Sequence, residues 1–254
     1  MSGHSKWHNI QGRKSSQDAK RGQLFTKLTK ELIIAAKQGG GNPETNSRLR
    51  TSIDKARRTG MPMDNINKAI MRGTGELPGV SYEEHTYEAY GPAGTAFIVK
   101  ISTDNRNRTV AELRKIFNNF GGSLAESGAV SWNFEVKGNI ELEDVRGMNY
   151  DDLFILVADA GGEDLKEDGG VYTIITDPKL LEQVKEKIES KGFKIKDSDI
   201  ILIPKNFVKV SGEEAVRVVK LSDELENHDD VQDYYTNYDI DEAELKVIAE
   251  KIGS

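Results

Sequence analysis

The chain has 254 residues, of which 37% are hydrophobic and 30% are charged, and its formal net charge is -7. This length exceeds one average domain, so we expect two or three domains. The chain contains no cysteine, which excludes disulfides, cysteine-ligated metal centres and a thiol nucleophile, and its longest apolar run, residues 153–158, is far too short to span a bilayer.

The opening stretch, residues 1–16, has few apolar residues and no regular period, which predicts an extended arm. It combines cations, which attract phosphate, with an aromatic ring that can stack on a base. The residues concerned are Lys6, Trp7, Arg13 and Lys14. Alternatively, Trp7 and Ile10 anchor the arm on the helices that follow.

A first helix is predicted from about Gln17, because leucines recur every four residues, and the glycines at 39–41 should end it. At 100° per residue, four lysines fall on one stripe, mostly opposite the leucines. These are Lys20, Lys27, Lys30 and Lys37.

Two shorter helices should complete a three-helix bundle. Asn42 and Pro43 suit the cap and first position of the second helix, which continues to Gly60. Its exposed side carries five cations, Arg48, Arg50, Lys55, Arg57 and Arg58. The third helix spans residues 63–72.

The net charge is divided unevenly along the chain. Residues 1–78 carry 15 Lys and Arg against 6 Asp and Glu, a net of +9, whereas residues 79–254 carry -16. Such asymmetry indicates an electrostatic partner for the basic part, with nucleic acid as the first candidate. The alternative is a solvated basic bundle without such a partner.

After a Gly- and Pro-containing linker at residues 73–79, the pattern predicts strands at 81–89 and 95–103. The turn between them, residues 91–94, could cradle an anion but lacks the P-loop pattern, which favours a tight hairpin connection. A helix should follow over residues 107–119, and alternating apolar residues predict a half-buried strand at 130–136.

A further basic segment lies between the second of these strands and the helix, at residues 104–109. Arg106 and Arg108 could meet phosphate there, together with the amides of the helix terminus. Alternatively, the segment is structural, with Asp104 or Asn107 capping the helix.

Residues 135–205 have a β-α-β-β-α-β order, which is typical of a ferredoxin-like domain. The predicted elements are a strand around residue 140, a helix at about 150–160, strands at 164–167 and 171–176, a helix at 178–190 and a strand at 193–203. The elements after it, including a helix opened by a Ser211-x-x-Glu214 capping box, a strand at 231–238 and a helix at 241–252, are too few to close a core alone. We therefore expect the ferredoxin-like unit to be inserted in a discontinuous α+β middle domain, formed by residues 79–134 and 206–254. The bundle with its arm takes residues 1–78.

Signals for catalysis are scarce. The four histidines have no metal-site spacing, so we expect no metal, no cofactor, no small-molecule substrate and no enzymatic activity. The acidic residues between 223 and 244 lack the calcium-loop pattern. They either form a solvated helix end and turn, dock against the basic bundle, or repel nucleic acid.

Four segments carry a resemblance to a known family. They are GHSKWHNIQGRK near the start, YEAYGPAG, TDNRNRT and the late DDVQDYYTNYD, and they resemble the signature segments of the YebC/PmpR family in the right order. The resemblance implies a helical bundle, a middle α+β domain and an inserted ferredoxin-like domain. It also implies a non-enzymatic regulator of gene expression, since bacterial members are usually described as DNA-binding transcriptional regulators.

Two functions therefore remain open for a cytoplasmic protein that binds nucleic acid. The first is DNA-binding regulation of transcription; the alternative is a ribosome-associated translation factor that contacts ribosomal RNA or tRNA and relieves stalling at proline-rich stretches. For either, the expected contact residues are Lys6, Trp7, Arg13, Lys14, Lys20, Lys27, Lys30, Arg57 and Arg58, with Arg106 and Arg108 secondary.

Overall fold

The computed structural model describes residues 17–168 and 170–252. The basic part of this chain folds into three helices around a core that includes Leu32, Leu49 and Ile66. The predicted bundle is confirmed, with α1 at Gln17–Gly39, α2 at Ser47–Arg58 and α3 at Met63–Thr74.

The cap of α2 differs from the prediction. Asn42 heads a turn, in which its side chain accepts the backbone N–H of Glu44, and the helix begins only at Ser47. The cap is Asn46: its side-chain oxygen accepts the N–H of Leu49 at 3.0 Å, and its amide donates to the carbonyl of Ala35 at 2.8 Å. Asn46, rather than Asn42, caps α2 because it is buried between the end of α1 and the start of α2, where it forms hydrogen bonds with backbone groups of both helices.

The middle domain is a four-stranded sheet with helices on one face. From one edge to the other, its strands are formed by residues 123–125, 83–90, 96–103 and 231–236. In its core, the ring of Phe97 packs edge-on against Phe117 of a helix and stacks on Tyr234 of the neighbouring strand. The elements are β1 Glu83–Tyr90, β2 Ala96–Thr103, α4 Arg106–Asn119, β3 Ser123–Ala125, α7 Gly212–Glu226, β9 Val231–Thr236 and α8 Glu242–Ile252, with a small parallel pair of β8 Val208–Lys209 and β10 Tyr238–Asp239. Because β9 follows the insertion in sequence, this sheet contains strands from both before and after the inserted domain.

The inserted domain has its own core around Ile140, Leu153 and Ile188 and its own four-stranded sheet. From one edge to the other, the strands are formed by residues 164–168, 171–176, 134–142 and 195–204. This is the ferredoxin-like arrangement expected from the element order. The elements are β4 Phe134–Leu142, α5 Tyr150–Ala160, β5 Asp164–Asp168, β6 Val171–Thr176, α6 Leu181–Ser190 and β7 Ile195–Pro204. The multi-domain α and α+β fold is therefore as predicted, while the residue-level domain boundaries stay a prediction.

The strand predicted over residues 130–136 is wrong in its first half. Ser131–Asn133 form a 3₁₀ turn, and β4 begins only at Phe134. The buried carboxylate of Glu88 accepts the backbone N–H groups of Gly128, Val130 and Ser131 at 2.7–2.9 Å, which holds this backbone away from a strand ladder. Burial works against the charge of Glu88, but these three donors outweigh it and lower the pKa of the carboxyl.

The capping box predicted at the start of α7 does not form. Ser211 occupies the cap position but makes no side-chain cap hydrogen bond. Instead the backbone N–H of Gly212 donates to the carboxylate of Glu244 in α8 at 2.6 Å. A carboxylate from another helix thus satisfies the free amide end of α7.

The hairpin predicted at residues 91–94 is confirmed. β1 and β2 pair antiparallel through this connection, which contains the short 3₁₀ turn Pro92–Gly94. None of the helices among the described residues is long and apolar enough to cross a membrane.

Candidate nucleic-acid interface

The lysine stripe of α1 faces the middle domain for part of its length. Lys30 forms an ion pair with Asp230 at 2.6 Å, and the two side chains are only 8% and 6% exposed. Its ammonium also donates to the backbone carbonyl of Asp229 at 2.9 Å. Lys30 therefore presents no charge to solvent, and we leave it out of the proposed contact set.

Asp230 is the centre of a buried hydrogen-bond network. One carboxylate oxygen accepts from Lys30, and the other accepts from Thr109 at 2.7 Å and from Thr103 and Arg108 at 3.1 Å. Burial disfavours the ionised carboxyl, but its charged and hydroxyl donors outweigh this and hold the pKa of Asp230 well below its usual range. The network fixes α1 to α4 and to the start of β9.

Two more side chains of α1 contact the end of α7. The ammonium of Lys27 donates to the backbone carbonyl of Glu226 at 2.8 Å, and the side-chain amide of Gln23 donates to the backbone carbonyl of Asn227 at 3.3 Å. These carbonyls lie at the negative end of the helix dipole, which favours a cation. Burial lowers the pKa of Lys27 against the opposing pull of nearby acidic groups. The acidic segment thus docks on the bundle at residues 226–230, one of the alternatives that the sequence left open.

The two remaining lysines of the stripe are Lys37 and Lys20. Lys37 is exposed and donates to the hydroxyl of Ser81 at 2.8 Å. Lys20 lies in α1, but its side chain is outside the described part of the chain, as are Lys6, Trp7, Arg13 and Lys14 of the predicted arm.

Helix α2 carries cations on two sides. Arg57 is exposed, as is Arg50, seven residues before it, and no acidic group among the described residues pairs with either. We call this side, Arg50 and Arg57, the outer face. Arg50 is on the exposed side expected from the sequence but outside the expected contact set, although its i, i+7 spacing to Arg57 places both on one face.

The opposite side of α2 is paired to acidic groups. Arg48 forms ion pairs with Glu84 at 2.5 Å and Glu31 at 2.8 Å, and the hydrogen bonds that it donates to Glu84 and to Glu31 raise its pKa against the effect of burial. The pair with Glu84 joins the guanidinium to β1 of the middle sheet, whereas the pair with Glu31 links α2 to α1 within the bundle.

Lys55 and Arg58, also on α2, reach the inserted domain. Lys55 pairs with Asp199, and its ammonium lies 3.9 Å from Asp197. Arg58 donates to the carbonyl of Lys196 and lies 3.4 Å from the Asp197 carboxylate. We call these two groups and their partners, Asp197 and Asp199 on β7, the α2–β7 contact.

The pKa values at this contact shift in ways that reflect one lysine shared by two carboxylates. Burial disfavours the charge of Lys55, but Asp199 and Asp197 outweigh it and raise the pKa of the ammonium. Burial, together with the negative charge of Asp199 and against the pull of Lys55, raises the pKa of Asp197. Asp199 is therefore the better partner of Lys55, and Asp197 is held less firmly.

The segment at residues 104–109 is largely occupied by its own contacts. The cap of α4 is Asn105, whose side chain accepts the N–H of Arg108 at 3.1 Å, so neither Asp104 nor Asn107 has the predicted capping role. Asp104 instead pairs with Arg108 at 2.8 Å, since the two lie one helical turn apart. Arg108 is shared between Asp104 and Asp230, whereas Arg106 is exposed and donates to the hydroxyl of Tyr87 at 3.0 Å.

One group of side chains in the described part has the composition of a metal site. Ligand-type atoms of Glu112, His228 and Asp230 lie within 4.8 Å of one another. Nδ1 of His228 accepts the backbone N–H of Asp230 at 3.1 Å, and its Nε2 lies 3.2 Å from Glu112. With both carboxylate oxygens of Asp230 engaged by cations and hydroxyls, this cluster is accounted for by hydrogen bonds alone.

Comparison with known proteins identifies relatives over nearly the whole chain. Residues 5–76 match the model of the TACO1/YebC protein N-terminal domain, and residues 82–238 match that of the TACO1/YebC second and third domain. Proteins named probable transcriptional regulatory protein are similar throughout. The one from Dictyoglomus turgidum is 51% identical over 249 residues, covering 98% of this chain and 100% of its own, and the one from Pseudothermotoga lettingae is 50% identical over 253 residues, covering 100% of both.

A solved structure has the same fold. The crystal structure of a conserved hypothetical protein from Aquifex aeolicus is 43% identical and superposes with a TM-score of 0.82, over 89% of this chain and 93% of the other.

Proposed function

Since the chain belongs to the TACO1/YebC family, we propose that it is a non-enzymatic, cytoplasmic regulator of gene expression that binds nucleic acid through its N-terminal bundle and arm. The observation that carries this proposal is the outer face of α2. It presents Arg50 and Arg57 to solvent without an acidic partner among the described residues, on the basic part of an otherwise acidic chain. Arg106 adds an exposed guanidinium from the middle domain.

DNA is the proposed target, because relatives at about 50% identity are named probable transcriptional regulatory proteins. Phosphate contacts alone carry no sequence information, so regulation of particular genes needs side chains that read bases. Helix α3 follows α2 after a short turn containing Gly60 and exposes Asn65 and Asn67, whose amides can pair with adenine in the major groove. Positions i and i+2 point about 200° apart around a helix, so only one of the two can enter a given groove, and we propose that one of them reads a base. The ribosome-bound translation factor is the alternative.

Changing Arg50 and Arg57 to Gln tests the outer face. We expect weaker binding of duplex DNA and a smaller salt slope, log Kd against log salt concentration, with a decrease of about one for each phosphate that α2 no longer neutralises. The matched control changes Lys179 and Lys191, two exposed lysines of the inserted domain, to Gln and removes the same charge. Equal slopes in the outer-face variant, the control and the wild type would contradict phosphate binding at α2.

Competition separates the two functions. The protein is bound to labelled genomic fragments at physiological salt, then challenged in parallel with random-sequence DNA and with purified ribosomes. A DNA-binding regulator retains a subset of fragments against random DNA, and Asn65→Ala with Asn67→Ala relaxes that preference. Complete displacement by random DNA together with co-sedimentation with ribosomes would favour the translation factor.

A further inference from the structure

The inserted domain touches the bundle through exposed charges. Asp197 and Asp199 of β7 meet Lys55 and Arg58 of α2, and the two carboxylates remain 42% and 50% exposed. Elsewhere the two domains complete their cores separately, the bundle around Leu49 and the inserted domain around Ile140. This contact is therefore held by ionic groups that water and salt can reach.

The same cations are chemically suited to phosphate. A guanidinium binds a carboxylate or a phosphate through the same planar donors, and an ammonium pairs with either as a point charge. Arg58 and Lys55 lie on the same helix as the outer-face residues Arg50 and Arg57. If β7 moved away, α2 would present cations on both sides.

We propose that Asp197 and Asp199 occupy Lys55 and Arg58 in place of nucleic-acid phosphates, so that nucleic acid and the inserted domain compete for α2. The α2–β7 contact is then an autoinhibitory latch. This proposal rests on the proposed function, because it assumes that the bundle is the nucleic-acid-binding part.

The other contacts of the bundle show which domain moves. Lys30 is buried against Asp230, and Arg48 pairs with Glu84 of β1, so two ion pairs fix the bundle to the middle domain. The inserted domain is joined to the middle sheet at its base, where Ile201 and Leu202 pack beside Ile98 and Tyr235. Release of the latch therefore pivots the inserted domain about this apolar junction while the bundle stays in place.

The binding test changes Asp197 and Asp199 to Asn in the full chain. We expect this variant to bind a random-sequence DNA duplex about 3- to 10-fold more tightly than the wild type at low salt, with a steeper salt slope, because two more cations become available. Removing any two negative charges strengthens binding somewhat, so the matched control changes Glu186 and Glu189 to Gln. Both lie on α6, are exposed and have no ion pair among the described residues. Equal affinity of the variant and the control would overturn the latch.

The movement is measured separately, and the cysteine-free sequence permits it without background labelling. Spin labels at Thr51→Cys on α2 and Ser190→Cys on α6, both exposed positions, report the distance between bundle and inserted domain by pulsed electron paramagnetic resonance. We expect a longer or broader distance distribution in the Asp197→Asn, Asp199→Asn variant, and in the wild type with saturating duplex. An unchanged distribution in both, with duplex shown to be bound, would overturn the latch and leave the proposed function standing.

The two failures are distinguishable. If neither the wild type nor the Asp197→Asn, Asp199→Asn variant binds duplex DNA or ribosomes, the proposed function is wrong. The proposed competition between nucleic acid and the inserted domain for α2 is then wrong as well. If only the variant binds, the latch is supported in its strongest form.

Discussion

Asp230 shows how one residue can hold a multi-domain protein together. Its carboxylate accepts from α1, α4 and the end of β2, three elements that are distant in sequence. A buried ion pair is not by itself strongly stabilising, because both charges lose hydration, but removing one partner leaves the other charge buried and uncompensated. The network therefore matters most when it is broken.

Asp230→Asn should lower the free energy of unfolding by about 3–5 kcal/mol, because the ammonium of Lys30 stays buried without its counter-charge. Urea unfolding of the full chain measures this. As a control, Asp229→Asn changes the exposed neighbour, whose backbone carbonyl alone contacts Lys30, and should have little effect.

The same variant carries a pH signature. The folded-state pKa of Asp230 is lowered, so its stabilisation is fully present above the usual aspartate pKa of about 3.9 and is lost as pH falls below it. We expect the difference in unfolding free energy between wild type and Asp230→Asn to stay constant from about pH 6 to about pH 4.5 and then to shrink towards about pH 2. A constant difference over the whole of this range would show that the charge of Asp230 is not the source of the effect.

At the scale of elements, α2 separates its charges by face. Arg48, Lys55 and Arg58 are each paired with an acidic group of another domain, whereas Arg50 and Arg57 remain unpaired among the described residues. Exposed pairs of this kind contribute about 0.2–1 kcal/mol each, so they orient the helix without locking it. The orientation of α2 therefore decides which cations a polyanion can reach.

That orientation depends on the cap of α2. Asn46→Ala removes the acceptor for the N–H of Leu49 and the donor to the buried end of α1, so we expect a loss of about 1–3 kcal/mol in unfolding free energy. Asn42→Ala is the matched control, because the exposed side chain of Asn42 accepts a single hydrogen bond, from the backbone N–H of Glu44 in a turn. Thermal or urea unfolding compares the two; a larger loss for Asn42→Ala would contradict the assignment of the cap.

At the scale of the whole molecule, the inserted domain interrupts the middle domain in sequence but not in its core. The main cluster of the middle domain is built from residues before and after the insertion, such as Phe97 and Tyr234. Glu135 and Ile203 are paired across β4 and β7, so the chain enters and leaves the insertion at adjacent points.

Excision of the insertion should therefore leave a folded protein. Replacing residues 136–202 with Asn-Gly, a sequence suited to a tight turn, should give a bundle and middle domain that unfold cooperatively in urea. We expect lower stability than in the full chain, because Ile98 and Tyr235 lose their cover of Ile201 and Leu202. A non-cooperative transition without near-ultraviolet circular dichroism would show that the middle domain needs the insertion to fold.

Much of the architecture follows from the sequence, because hydrophobic periodicity is a local property. The spacing of apolar residues predicts α5 at 150–160 and β6 at 171–176 with the ends that the structure shows, and the element order predicts the ferredoxin-like insertion. Local hydrogen bonding was harder to predict where several candidates compete. Asn46 rather than Asn42 caps α2, and Asn105 rather than Asp104 or Asn107 caps α4, because the preceding turn decides which side chain faces the free amides.

The sequence by itself determined the fold class, the family resemblance and the concentration of positive charge in the first 78 residues. Only the tertiary structure decided which of those charges are available. Helical spacing gives the direction in which Lys30 and Lys55 point, but their partners Asp230 and Asp199 lie 200 and 144 residues away along the chain. Coulomb interactions depend on separation in space, and that separation is fixed only when the domains pack together.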